Sequence, residues 1–212
     1  LHPRPVRRHL GGPDDFASAL VGRTFAEPKR RGKFLWLPFT DGAALMAHLG
    51  MRGQFRVDEP DAALPPQCRV RFAFVDGGRE LRFADQRMFG GLWLSPGGAE
   101  VPLEVSHIAR DLFDAELDRP ALIADIRRRH SGIKRVLLNQ TVVSGIGNIY
   151  ADEALWRAKL HYDTPADRIS RAKVSELLAA AEDVMREALA QGGTSFDALY
   201  VNVNGSSGYF GR

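Results

Sequence analysis

The chain has 212 residues, 44% hydrophobic and 26% charged, with a formal net charge of +3 at pH 7, a balance that supports a packed core in one large or two small domains. No apolar run approaches the roughly 18 residues of a membrane span, so no transmembrane helix is expected, and no signal peptide is visible at Leu1. The single cysteine, Cys68, excludes an internal disulfide and a multi-cysteine zinc site, and it fits a reducing compartment.

Residues 1–10 read as an extended basic entry with two prolines and no period. Pro13 to Gly22 predicts a short helix, capped by Asp14 or Asp15, with Phe16 and Leu20 on one face and Gly22 as its stop. Short apolar segments follow at Arg23–Glu27, Phe34–Phe39, Ala44–Leu49, Gln54–Val57, Val70–Val75, Leu81–Ala84 and Leu92–Leu94. Asp41-Gly42 and Asp76-Gly-Gly78 lie between neighbours as hairpin turns do. A spacing of about ten residues predicts an antiparallel sandwich. Asp58 to Pro66, with three prolines, reads as a loop.

The character changes between residues 100 and 108. Ala121 to His130 predicts a helix with apolar Leu122, Ile123 and Ile126 and a basic last turn, and Ser131 is placed to cap the next. Ser170 to Gln191 predicts the longest helix. Its stripe is Val174, Leu177, Leu178, Ala181, Met185, Ala188 and Leu189, read as core, and Gly192-Gly193 ends it. Thr194 to Arg212 is polar and glycine-rich, a functional loop or a linker. The fold class is therefore α+β, a β-sandwich over residues 1–104 and a helical domain over 105–212.

Asn139 to Glu153 organises the second half. Ile133, Val136 and Leu137 give a helical face before it; Ile149, Ala154 and Leu155 give one after it. Ser144-Gly-Ile-Gly-Asn148 between them is a double turn. Gly145 and Gly147 permit positive φ there, and Asn148 is a candidate N-cap. A helix start behind a glycine turn presents free N–H groups that suit a phosphate. Basic clusters at Arg4, Arg7, Arg8 and His9, at Lys29 to Lys33, and at Arg127 to Arg135 read either as a phosphate footprint or as solvated surface charge.

Three further stretches carry candidate chemistry. Lys33, in Arg30-Arg-Gly-Lys33-Phe-Leu-Trp36, opens a strand; a lysine here is a phosphate contact, a reactive amine, or an ordinary strand-end charge. In His48-Leu-Gly-Met51-Arg-Gly53, glycines flank Met51, so it either projects from a turn as a wedge between bases or sits in a core, with His48 a satisfied polar residue. In Asp85-Gln-Arg87-Met-Phe89-Gly90, Arg87 and Phe89 are two apart and share a side of an extended segment. There an arginine can fork onto a base edge beside an inserted aromatic ring.

These motifs, in this order, together with Val142-Val-Ser-Gly-Ile-Gly-Asn148-Ile-Tyr-Ala-Asp-Glu153, closely resemble the formamidopyrimidine-DNA glycosylase and endonuclease VIII family, whose last signature is a helix-two-turn-helix. The resemblance covers nearly the whole chain. It implies base flipping of damaged double-stranded DNA, with Lys33 contacting phosphate and assisting elimination, and His48 and Asn148 binding phosphate. Met51, Arg87 and Phe89 fill the gap left by the flipped base; this triad favours the 8-oxoguanine branch. Gly192-Gly-Thr-Ser195 and Val201 to Phe210 resemble the loop that closes over the lesion. Gln67-Cys68-Arg69 and His130 depart from the family pattern at positions where it often has a histidine pair and a lysine.

The resemblance also implies parts outside these residues. The family's nucleophile is an amino-terminal proline followed by glutamate, whereas this sequence opens Leu1-His2-Pro3-Arg4, and Pro3 is an internal amide. Gly208 to Arg212 precede the place of the family's four-cysteine finger, so the family's one structural Zn2+ is not expected here, nor any other cofactor or metal. The expectation is an internal part of a bacterial, cytoplasmic, nucleoid-associated, monomeric glycosylase and AP lyase with no membrane partner. It removes 8-oxoguanine and formamidopyrimidines and cleaves the strand by β,δ-elimination. The rival reading is a non-catalytic remnant that binds bent or abasic DNA.

Overall fold

The computed structural model describes residues 3–191. They form two compact units: residues 3–29 with 34–103, and residues 30–33 with 104–190.

The first unit is built on strands. A four-stranded sheet runs in the order β1 (Lys29–Arg31), β2 (Phe34–Pro38), β3 (Ala44–His48), β7 (Gly91–Ser95), of which β1 runs across the boundary at Lys29 into the second unit. A three-stranded sheet runs β4 (Gly53–Asp58), β6 (Glu80–Asp85), β5 (Cys68–Phe72). The β2–β3, β3–β7, β4–β6 and β5–β6 pairings are all antiparallel. Asp41-Gly42 turns β2 into β3, with Gly42 at φ +92° and the Asp41 carboxylate accepting the Ala43 N–H at 3.0 Å.

Period-two alternation then sorts the side chains. Leu37, Leu45, Ala47 and Leu92 meet Phe55 and Phe83 of the other sheet, with Phe16 of α1 (Gly12–Leu20) and Val6 in the same core. Each fully buried residue of this kind contributes about 1.5–3 kcal/mol. The opposite face of the larger sheet carries the row Trp36, Met46, Trp93, in register across three strands.

The smaller sheet also buries charge. Arg82 is wholly buried, 3.0 Å from Glu80, and donates to the carbonyls of Glu59 and Ala62 at 3.0 and 3.1 Å. Glu80 also holds Arg71, and these guanidinium groups keep its carboxyl below the usual carboxylate range. Arg82 thus ties the proline-containing loop after β4 to the sheet from inside.

The second unit is helical: α2 (Arg119–Ile126), α3 (Ile133–Leu138), α4 (Asn148–Arg157) and α5 (Arg171–Ala190). Ile126, Ile133, Leu137, Ile146, Leu177 and Leu178 are at most 1% exposed in its core.

Several expectations change in the structure. Arg23–Glu27 is not a strand; only Phe25 bridges Phe39, and Pro28, which has no N–H to donate, stops the ladder. β1 was not expected. Neither Asp14 nor Asp15 caps α1, which starts at Gly12 behind Gly11; both lie in its first turn, and Pro13 sets the start. Asp118 caps α2, accepting from the Ala121 N–H at 2.9 Å, so the helix begins at Arg119 and ends before the basic run. Gly132, not Ser131, precedes α3; the Ser131 carbonyl accepts the Ala166 N–H instead. Leu189 and Ile149, expected on buried faces, are 67% and 51% exposed.

Candidate nucleic-acid interface

In the strand-rich unit, the turn after β3 carries Met51. The Gly53 N–H donates to the Leu49 carbonyl at 2.7 Å, closing the turn, and Gly50 adopts φ +62°. Met51 is 67% exposed, as a wedge requires and a core residue does not. A Cβ on Gly50 would lie 2.7 Å from the Gly90 nitrogen and 3.2 Å from the Phe89 Cβ. The two turns therefore abut, and each carries an exposed apolar side chain: Met51 on the first and Phe89, 47% exposed, on the second.

The segment carrying exposed Arg87 and Phe89 is not extended, contrary to the spacing argument. Met88 sits at φ +53°, a left-handed conformation uncommon for a non-glycine residue. Buried Asp85 holds it from inside: its carboxylate accepts the Arg87 N–H at 3.1 Å and the Gly90 N–H at 2.7 Å, drawing residues 86–90 into a turn. Gly90 is required by space. Its Cβ would lie 2.8 Å from both the His48 carbonyl oxygen and Phe83 Cζ. Gly90→Ala is expected to cost about 1–3 kcal/mol by overpacking, whereas Gly91→Ala, whose nearest contact is 3.4 Å, should leave the melting temperature nearly unchanged. Thermal melts of the two variants check this.

His48 ends β3, paired with Gly91. Burial, then the charges of Arg8 and Arg7, lower its pKa, so the ring is neutral at physiological pH. Its Nδ1 is buried with no hydrogen-bond partner among the described residues. A neutral imidazole still offers one N–H to a phosphate oxygen.

In the helical unit, Lys33 and Asn148 come together at the start of α4. Gly145 uses its left-handed freedom at φ +92°; Gly147 does not, being extended at φ −112°. Gly147 is the N-cap and Asn148 the first helical residue, so the expected cap is displaced by one position. Asn148 is exposed there. The Lys33 ammonium donates to the Ile146 carbonyl at 2.8 Å, and partial burial lowers its pKa. A lysine amine and a helix N-terminus on one turn make an anion-binding arrangement.

Two residues that spacing did not single out hold this arrangement. Gln140 donates to the Ile146 carbonyl at 3.1 Å and accepts the Gly145 N–H at 3.0 Å, stitching the double turn. Buried Asp111 accepts from Arg30 at 2.6 Å, from the Gly32 N–H at 3.1 Å and from the Phe113 N–H at 3.0 Å. Gly32, at φ +55°, passes so close to Ser144 that a Cβ would lie 2.5 Å from its side chain. A single carboxylate in a chain rich in aspartate carries no local signal, which is why Asp111 was invisible in the sequence.

The basic run of the helical unit is largely committed internally. Arg128 and Arg129 pair with Asp125, His130 with Asp167 and Lys134 with Asp152, and Arg127 donates to the Ile169 carbonyl. The proposed lesion-closing residues 192–210 lie outside the described residues. Among the described residues, no three His, Cys, Asp or Glu side chains converge on a metal site. With one cysteine in the chain, a four-cysteine zinc finger does not fit the residues present. No described helix is long and apolar enough to cross a membrane.

The chain matches the family profile of the formamidopyrimidine-DNA glycosylase N-terminal domain over residues 1–92 and that of the formamidopyrimidine-DNA glycosylase H2TH domain over residues 108–198. It is 60% identical over 214 residues to the formamidopyrimidine-DNA glycosylase of a Nocardioides species, covering all of this chain and 72% of the relative. It is 56% identical to that of Salinispora arenicola, covering all of this chain and 74% of the relative. Its fold is similar to wild-type Lactococcus lactis Fpg in complex with DNA containing an oxidized pyrimidine, at TM-score 0.82 and 29% identity, covering 98% of this chain and 74% of the other. The same enzyme bound to DNA containing an abasic site gives TM-score 0.80 and 27% identity, with the same coverage. The chain belongs to the formamidopyrimidine-DNA glycosylase family.

Proposed function

We propose that these residues are the DNA-engaging body of a monomeric bacterial base-excision repair enzyme. It flips out 8-oxoguanine and formamidopyrimidines, removes them, and cleaves the abasic strand by β,δ-elimination. The observation that carries the reading is the abutment of two glycine turns, one carrying exposed Met51 and the other exposed Phe89. Two apolar side chains carried on abutting turns supply the wedge that replaces an extruded base. Arg87, from the same turn, reads the orphaned base. His48 and Asn148 bind phosphate, and Lys33 contacts phosphate and assists elimination. The attacking amine is assigned to an amino-terminal proline, with the adjoining glutamate handling protons; residues 1–212 contain no such start. An α-amino group titrates near pH 8, which leaves a useful neutral fraction at physiological pH.

The test is borohydride trapping on duplexes carrying 8-oxoguanine opposite cytosine, or an abasic site. The 212-residue chain is compared with one extended to a Pro-Glu amino terminus and a four-cysteine carboxyl terminus. Cross-linking only by the extended protein is expected. Cross-linking of both to the abasic site would move the chemistry to an internal amine such as Lys33. Binding by both without any cross-link would favour a non-catalytic DNA-binding protein.

A further inference from the structure

The turn that presents Arg87 and Phe89 is gathered from inside by Asp85, which collects its N–H groups. Its carbonyls are collected by a different residue, Arg7. One guanidinium nitrogen donates to the Gly90 carbonyl at 2.9 Å and the Met88 carbonyl at 3.4 Å; the other donates to the Phe89 carbonyl at 3.3 Å. Arg7 is itself anchored. It donates to the Arg4 carbonyl at 2.8 Å, follows a short 3-10 turn at Arg4–Val6, and that turn buries Pro5 and Val6, the latter in the sandwich core.

We propose that Arg7 is a positioning residue for base flipping: it clamps residues 88–90 so that Phe89 is held in its inserting geometry. The proposal rests on the wedge reading of Phe89 above. Met88 in the left-handed region is in an unfavourable conformation for a non-glycine residue, and it persists only where surroundings over-determine it. A carboxylate on the amide side and a guanidinium on the carbonyl side do this together. The planar fork of arginine reaches three carbonyls from one position, which a lysine ammonium does not. Arg7 therefore acts through the backbone of the turn and not as a phosphate contact, although it lies in a basic stretch that reads as a phosphate footprint.

The experiment uses the full-length protein from the intact gene and a duplex with 2-aminopurine beside an abasic-site analogue. Wedge insertion unstacks the reporter and raises its fluorescence. Arg7→Ala is expected to lose at least half of that rise and to slow single-turnover excision of 8-oxoguanine about 10-fold. The slope of log affinity against log salt should be unchanged, because no phosphate contact is lost. In a Phe89→Ala background, Arg7→Ala should have no further effect, the non-additivity expected of residues acting as one unit. Arg7→Lys keeps the charge and the stem, and should also lose the rise; it decides the matter if Arg7→Ala melts early. A salt slope reduced by about one would make Arg7 a phosphate contact and overturn the proposal. So would effects of Arg7→Ala and Phe89→Ala that multiply. A rise lost in Phe89→Ala but kept in both Arg7 variants overturns the clamp alone. A rise that survives Phe89→Ala removes the wedge reading and the clamp with it.

Discussion

Replacing Lys33 with methionine is expected to lower strand cleavage at an abasic site by about 10²- to 10³-fold, the scale of losing one positioned proton-transfer or electrostatic group. Methionine keeps most of the stem and removes the amine, so packing around the turn changes little. The ammonium donates to the Ile146 carbonyl at the start of α4, and partial burial lowers its pKa from that of an ordinary lysine. The sign of the pH dependence separates its two proposed roles. As a neutral amine assisting elimination, Lys33 loses activity as pH falls through its lowered pKa. As a charged phosphate contact, it loses binding as pH rises through the same value. Measuring cleavage of preformed abasic DNA and binding of uncleavable abasic DNA across pH, for both proteins, tests both. Cleavage by Lys33→Met within threefold of the parent would remove Lys33 from the chemistry.

Asp111→Ala is expected to be the most destabilising single change in the helical unit outside its apolar core, at about 2–4 kcal/mol. The carboxylate is 5% exposed and accepts from two backbone N–H groups, those of Gly32 and Phe113. Without it both donors lose their partner in a site water enters poorly. The Arg30 half of the pair matters less, since that guanidinium is half exposed. Asp111→Asn retains one good acceptor and should lose about half as much. Urea denaturation reads the result as a shift of midpoint at constant slope. A loss below 1 kcal/mol for the alanine variant would mean that the turn carrying Lys33 does not depend on this carboxylate.

The candidate site was legible in the sequence where a residue's identity is itself the function, and illegible where its role is to hold another. Met51 between two glycines, Phe89 beside Gly90, and Lys33 after Gly32 stand out because glycine marks the places where backbones approach or turn back. Asp85, Arg7, Asp111 and Gln140 give no such mark. Arg7 and Asp111 work on backbone groups far away along the chain, which only the fold makes neighbours; Asp85 and Gln140 work on groups a few residues on, through turns that no periodicity marks. The hairpins were read from Asp41-Gly42 and Asp76-Gly-Gly78 because a tight turn is local chemistry. β1 was missed because three basic residues show no alternation; its place in the sheet is set by its partner strand. Asn148 was read as a cap from its side chain, yet an extended Gly147 already supplies the cap geometry and frees the asparagine for solvent. The spacing puts Arg87 and Phe89 along one extended line; Asp85 opens the same motif, but its identity alone does not say that it turns inward and gathers the N–H groups of Arg87 and Gly90.

The strand order also sets a sequence of events in time. Ala44 of β3 pairs with Ser95 of β7, so that ladder cannot close until the chain between them has been brought back. Every contact joining α3 to α4 spans a short loop. Loop closure is the slow step when partners are far apart in sequence. The helical turn beneath Lys33 and Asn148 is thus expected to form early in refolding. The wedge turns, which rest on the ends of β3 and β7, are completed only after those strands have met, beyond the slow step. Late-forming structure governs how fast a protein comes apart more than how fast it assembles. Variants at Gly90 should accordingly be found in the unfolding rate, with the folding rate almost untouched.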